Sequence, residues 1–386
     1  FFAAALAIGS GCVFLAYPDA GPAAPGFDQV VIPAGEGPGP IVVADVNHDG
    51  KPDLLVANTT SRTLIVLLGD GKGHFNAASA PPCATGQSPN DIAVGDFNGD
   101  GNPDVVIANT ETPNLTLLLG DGKGGFKPSP HSPFTTQSHP HVHGVAAADF
   151  NGDGKLDVVT DSWGKNQFLL LLGDGAGNLA SPGQPFDTGK RPYQRLRSAD
   201  FNKDGKPDVV TTDLDGNAVS ILLGDGNGRF RNAPGSPFPA GVFPWAVAID
   251  DMNKDGNLDL AVIPYDRDVT DPKQLGVTVL LGDGKGGFRQ MTGAPFSLAG
   301  CRGPSHVSTG DFNHDGVRDI VVTCAQNNKL MLYLGSNNGS FRVVSHDVPT
   351  GWSGLAVADL NGDGKDDIAI SNNTPGASTI TILFSK

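Results

Sequence analysis

One nine-residue pattern, D-x-N-x-D-G-x-x-D, recurs seven times and constrains the fold more than any other feature of the chain. The copies begin at Asp45, Asp96, Asp149, Asp200, Asp251, Asp311 and Asp359, at spacings of 51, 53, 51, 51, 60 and 48 residues. A unit of this length cannot bury its apolar face alone, so successive units must stack. A second element follows most copies: LLGDGKGHF at 67–75, LLGDGKGGF at 118–126, LLGDGAGNL at 171–179, LLGDGNGRF at 222–230 and LLGDGKGGF at 280–288. A sixth version, YLGSNNGSF at 333–341, is degraded, and the seventh is missing.

Short runs rich in Val, Ile and Leu flank both elements and are bounded by Gly, Asn and Asp, the signature of strands joined by tight turns. Gly-Asp-Gly supplies the positive φ angles of a hairpin turn. Each unit therefore holds four antiparallel strands, A to D, with the nonapeptide joining A to B and the GDGxG turn joining C to D. Four strands at this period describe a β-propeller blade, and seven copies predict an all-β, seven-bladed ring. The last unit ends at its C strand. The segment beginning GFDQVVIP at residue 26 aligns with the D strand of the sixth unit, so Phe27–Pro33 is predicted to complete blade 7 and leave no open sheet edge. The predicted organisation is an apolar export or anchor segment at 1–17, a Pro/Gly/Ala-rich linker at 18–26, and one propeller over 27–386.

Positions 1, 3, 5 and 9 of each nonapeptide carry oxygen side chains, position 6 is glycine, and position 7 can offer a backbone carbonyl. Hard oxygen ligands alternating around a glycine turn point to Ca²⁺ rather than the water-rich octahedron of Mg²⁺. The candidate ligands are Asp45, Asn47, Asp49, Lys51 and Asp53 in the first loop; Asp96, Asn98, Asp100, Asn102 and Asp104 in the second; and Asp149, Asn151, Asp153, Lys155 and Asp157 in the third. Loop four offers Asp200, Asn202, Asp204, Lys206 and Asp208, and loop five Asp251, Asn253, Asp255, Asn257 and Asp259. Asp311, Asn313, Asp315, Val317 and Asp319 form the sixth set, and Asp359, Asn361, Asp363, Lys365 and Asp367 the seventh. The Lys, Val and position-7 Asn residues would contribute their carbonyl oxygens. An EF-hand needs a Glu at position 12; that position holds Val56, Ile107, Thr160, Thr211, Val262, Val322 and Ile370, which excludes it. The formal charge is −15. About seven structural Ca²⁺ ions would nearly cancel it, and a chain this acidic is not built for nucleic acid.

These loops and their flanking strands resemble the FG-GAP/VCBS repeat family, calcium-loop propellers related to the integrin α-subunit head and to some fungal lectins. The resemblance covers about residues 27–386. It implies Ca²⁺ ligation by positions 1, 3, 5 and 9 with the position-7 carbonyl, and extracellular or periplasmic adhesion, glycan binding or scaffolding.

The D–A and B–C connections fall on the face away from the loops, and they collect the aromatic residues. Trp163, Tyr193, Arg195, Trp245, His306 and Trp352 are the candidate ligand-binding set for a protein or glycan; the same aromatics would equally serve as wedges between blades. His139, His141 and His143 alternate as a Zn²⁺ or Cu²⁺ ligand run would. No nucleophile elbow, phosphate loop or free carboxylate pair marks a catalytic centre, so a non-enzymatic module is expected ahead of a polysaccharide-active enzyme. Residues 1–17 are uncharged. They imply export to a periplasmic, cell-surface or extracellular compartment, and residues 1–26 offer an alternative role as the attachment of a structural subunit to a membrane or a neighbouring chain. Cys301 and Cys324 flank two strands that antiparallel pairing would bring within bridging distance.

Overall fold

The computed structural model describes residues 24–136, 141–183, 185–192, 196–266, 274–352, 354–372 and 376–386. Within them the chain forms seven antiparallel sheets in a ring. In blade 1 the order from the axis outward is A (Pro38–Ala44), B (Asp53–Asn58), C (Thr63–Gly69) and D (Phe75–Ala77). A strands of neighbouring blades touch one another around the central channel. Among the described residues two 3₁₀ turns are complete, Trp163–Lys165 and Leu214–Gly216; no helix there is long and apolar enough to cross a membrane.

The ring closes as the repeat alignment predicts. Phe27–Pro33 pairs antiparallel with Thr379–Ser385 along its whole length, from Phe27 opposite Ser385 to Pro33 opposite Thr379, as the outer strand of blade 7. The first and last strands of the ring thus share one sheet.

The B strands explain the Val/Ile/Leu runs. Every residue of Asp53–Asn58, and of its counterpart Asp104–Asn109, is buried. Alternate side chains of a strand point to opposite faces, and here both faces meet another blade. Leu55 packs with Val105 between blades 1 and 2, whereas Leu54 packs with Ile380 and Ile382 between blades 7 and 1. Each fully buried Leu, Ile or Val contributes roughly 1.5–3 kcal/mol relative to exposure, so the core is distributed over the blade junctions.

The outer strands differ from the simple four-strand expectation. In blades 1 to 5 strand D is split: in blade 1, Phe75–Ala77 and Cys83–Ala84 both pair with strand C. The intervening ASAPP supplies two prolines, which cannot donate to a ladder. Blades 6 and 7 keep seven-residue outer strands, Phe341–Asp347 and Phe27–Pro33.

Removing residues 1–33 is expected to expose the edge of Thr379–Ser385, lowering the melting temperature and producing self-associated species on size-exclusion chromatography. A monomer of unchanged melting temperature would contradict the closure.

Candidate metal centres and the opposite face

Each nonapeptide folds around its own acids in the same way. The position-1 carboxylate accepts the amides of positions 5 and 6, as Asp45 does from Asp49 at 3.2 Å and Gly50 at 2.8 Å. The position-3 carbonyl accepts the position-5 amide, as Asn47 does from Asp49 at 3.0 Å. Asp49 Oδ1 in turn accepts the Lys51 amide at 3.0 Å. The turn needs left-handed backbone at two places. Position 6 is glycine throughout, with φ of 76° at Gly50. Position 4 is also left-handed, and there the sequence varies: it is glycine in three loops, but His48, Lys203, Lys254 and His314 adopt φ of 58–60° in the others.

Position 9 has a second role. Its carboxylate is fully buried in all seven loops, and both oxygens accept backbone amides. Asp53 takes the amide of Val46 at 3.0 Å and that of Gly69 at 2.8 Å. Asp104 takes Phe97 and Gly120, Asp157 takes Phe150 and Gly173, and Asp208 takes Phe201 and Gly224. Asp259 takes Met252 and Gly282, Asp319 takes Phe312 and Gly335, and Asp367 takes Leu360 and Ser385. One oxygen thus holds the A–B loop and the other the end of strand C. The residue at position 2 drives its side chain into the core: Val46, Phe97, Phe150, Phe201, Met252, Phe312 and Leu360 are all buried.

The first glycine of the LLGDG element is therefore not part of the turn. It ends strand C, donates to the buried aspartate, and lies against the position-8 carbonyl so closely that a methyl group on Gly120 would collide with the Pro103 oxygen. Positive φ falls instead on the later glycines, 67° at Gly71 and 85° at Gly73. These contacts join residues 16 apart in five blades, 23 apart in blade 5 and 18 apart in blade 7, and the recurring L-L-G was the sequence signal for them in the first five blades. Gly120→Ala is expected to cost about 1–3 kcal/mol, read as a lowered denaturation midpoint.

Burial pushes the position-9 carboxyls well above the ordinary value, against the two amides that lower them, and repulsion from positions 5 and 1 adds to the rise. Asp319 reaches about 7, and Asp104, Asp208, Asp259 and Asp367 reach about 6. Asp53 and Asp157 move in the same direction. The loops relieve this crowding partly by themselves. In five of them the position-3 amide nitrogen donates to the position-5 carboxylate, as Asn98 does to Asp100 at 2.9 Å, and the Lys51 ammonium lies 3.2 Å from Asp49. Among the described residues no group of three or more His, Cys, Asp or Glu is arranged as a ready metal cage. The donor chemistry nevertheless fits a hard cation: an oxygen-only set, three carboxylates per loop, and one of them fully buried beside like charge.

The sign of the pH dependence follows. A raised carboxyl pKa means that the folded, metal-free protein binds more protons than the unfolded chain, so stability is lost as pH rises from about 4 through about 7. In EDTA the melting temperature is expected to rise when pH is lowered from about 7.5 to about 5; in saturating calcium, where protons compete with the cation, it is expected to fall. Parallel slopes in the two conditions, measured by calorimetry, would contradict this.

The opposite face separates the candidate ligand residues. Trp245 is only 7% exposed; its indole stacks on Tyr265, with centroids 4.3 Å apart, and donates to the Ser305 carbonyl in the next blade at 3.2 Å. It wedges blades 5 and 6. His306 is buried beside the central channel, across which Arg197 pairs with the buried Asp91 at 2.8 Å. Trp352 is exposed at 37%, beside Gly303. His143 is buried with its ring nitrogen 3.4 Å from the Asp161 carboxylate. Tyr193, Arg195, His139, the Trp163 side chain and residues 1–23 lie outside the described residues. Cys301 and Cys324 are disulfide-bonded, with Cα atoms 5.3 Å apart.

A profile of the FG-GAP-like repeat matches residues 45–107, 96–160, 200–262 and 318–370, together more than half of the chain. The seven-bladed ring and its acidic loops thus define a repeat propeller, and the chain belongs to the FG-GAP-like repeat family. Mouse cartilage acidic protein 1 is 31% identical over 128 residues, 32% of this chain and 19% of its own length. Human integrin alpha-IIb is 28% identical over 284 residues, 62% of this chain and 26% of its own. The chain spans about a fifth to a quarter of the length of these curated relatives. Among solved structures, BBS1N in complex with ARL6DN superposes with a TM-score of 0.61 at 11% identity, covering 93% of this chain and 97% of that one. A streptogramin B lyase gives 0.58 at 13%, covering 93% and 98%. At these identities the structures share the fold alone, and that fold serves both a binding protein and an enzyme.

Proposed function

We propose that this chain is an exported, non-catalytic binding or adhesion module, held in shape by about seven structural Ca²⁺ ions on one face and recognising a protein or glycan through the other. The observation that carries the reading is the unequal repetition of the two faces. The acidic loop keeps one hydrogen-bond pattern in every blade, whereas the opposite connections differ from blade to blade. A uniform face suits a common structural ligand; a varied face suits recognition. The bonded Cys301 and Cys324 favour an oxidising compartment, where external calcium is plentiful.

Calcium bound only by the folded state at ten times its Kd contributes about 1.4 kcal/mol per site. Seven such sites rival the ~5–15 kcal/mol by which a whole domain is stable. Chelation by EDTA is expected to lower the melting temperature by more than about 10 °C, with recovery on adding calcium but not magnesium. An unmoved transition would overturn the calcium role.

For recognition, capture on glycan and extracellular-protein arrays is expected to be lost in Trp352→Ala at unchanged melting temperature. Trp245→Ala is expected to lower the melting temperature instead, by about 3–5 kcal/mol of stability. Binding indifferent to Trp352→Ala would move the recognition surface elsewhere.

A further inference from the structure

In the five blades with a split outer strand, the second piece begins at one structural position: Cys83, Phe134, Phe186, Phe238 and Phe296. Each stands opposite the second residue of strand C, which is Leu64, Leu115, Phe168, Val219 and Val277 in turn. In blades 2 to 5 the side chain is a phenyl ring that fills the junction with the following blade. Phe186 meets Phe230 with centroids 5.0 Å apart, Phe238 meets Phe288 at 5.5 Å and Phe296 meets Phe341 at 4.8 Å, all edge-on. Phe134 packs in one cluster with Leu179. Blade 1 has Cys83 instead. The residue such a ring would meet is nevertheless present: Phe126 of blade 2 begins its outer strand as Phe230, Phe288 and Phe341 begin theirs.

At this place in blade 1 there is a cavity of about 270 Å³. Cys83 and Phe126 both line it, with Leu64, Val66 and Ala80, and it continues toward Pro33 of blade 7. Ala80 marks the match with the other blades. Three residues before Phe238 and Phe296, Gly235 and Gly293 lie against the phenyl rings; Ala80 stands three residues before Cys83 and faces the open space. All of these lining residues fall in the unbroken described stretch 24–136. Burial pushes the Cys83 thiol up, so it stays neutral and serves as an apolar wall. A dry cavity of about 150 Å³ accommodates benzene, so this one has room for a ring with a short substituent. Edge-on contact with a second ring favours an aromatic over a saturated ligand by about two- to tenfold.

We propose that the cavity between blades 1 and 2 binds a small monocyclic aromatic compound, whose ring takes the place that phenylalanine holds in blades 2 to 5 and packs edge-on against Phe126. No residue of the acidic loops lines it, so the site is independent of the calcium reading.

Saturation-transfer NMR titration of the full chain tests it, with phenol as probe and cyclohexanol as the saturated control of similar size. Phenol is expected to bind at millimolar concentration, about threefold or more tighter than cyclohexanol. Phe126→Leu should erase that preference. Cys83→Phe supplies the missing ring from within the chain; it should abolish phenol binding and raise the melting temperature. Cys83→Ala leaves the space open and should keep phenol binding. No phenol binding by the parent protein, equal affinities for phenol and cyclohexanol, or phenol binding that survives Cys83→Phe would overturn the proposal. So would loss of the fold in Cys83→Phe, read by circular dichroism, because the ring would then not fit the space.

Discussion

The buried aspartate that ends each acidic loop is the constraint on which the rest of the blade depends. With one oxygen on the loop amide and the other on the strand C amide, Asp53 and its six counterparts fix the A–B turn against a strand it is not joined to in sequence. Hydrogen bonds to an ionised acceptor contribute about 1.5–3 kcal/mol each. The same carboxylate is costly when buried beside two others, as the elevated pKa of Asp319 shows. The loop therefore serves two demands at once: it must be ionised to accept two amides well, and its charge must be offset. A hard cation would satisfy both, and the Asn98–Asp100 and Lys51–Asp49 contacts are the partial substitutes that the chain itself provides.

Ring closure turns this local device into a global one. The sheet that holds Phe27–Pro33 also holds Thr379–Ser385, so β-pairing joins the first and last strands of the ring, while the Asp367–Ser385 bond ties the last strand to its own loop as in the other blades. The core follows the same logic: Leu54 and Leu55 face different neighbours, so blade junctions stabilise one another around the ring. The ends of the B strands vary from blade to blade, with Ser162, Asp213 and Cys324 at one structural position.

Much of this was legible in the residues. The spacing of Asp, Asn and Gly predicted the number of blades and the loop positions, because each depends on local turn chemistry and a fixed period, and the likeness of the segment at residue 26 to the D strand of the sixth unit predicted the closing strand. What was not legible depended on contacts between distant residues. The close approach of Gly120 to the Pro103 carbonyl requires knowing that strand C ends beside the loop. The burial of Trp245 requires Tyr265 and Ser305, the latter 60 residues away. The split outer strands were not read from the sequence: prolines interrupt strand D, but whether a short pair such as Cys83–Ala84 still joins the sheet is decided by the neighbouring strand. The buried residue at position 2, such as Val46, went unread in the sequence because its role lies in an amide that meets a carboxylate seven residues on.

The most direct test of the central claim is the metal content of the folded protein, measured by equilibrium dialysis against calcium and elemental mass spectrometry. The account predicts about seven tightly held calcium ions per chain, released together as the ring unfolds. A folded chain that retains none in ample calcium would show that the amide network alone holds the loops, and would contradict it.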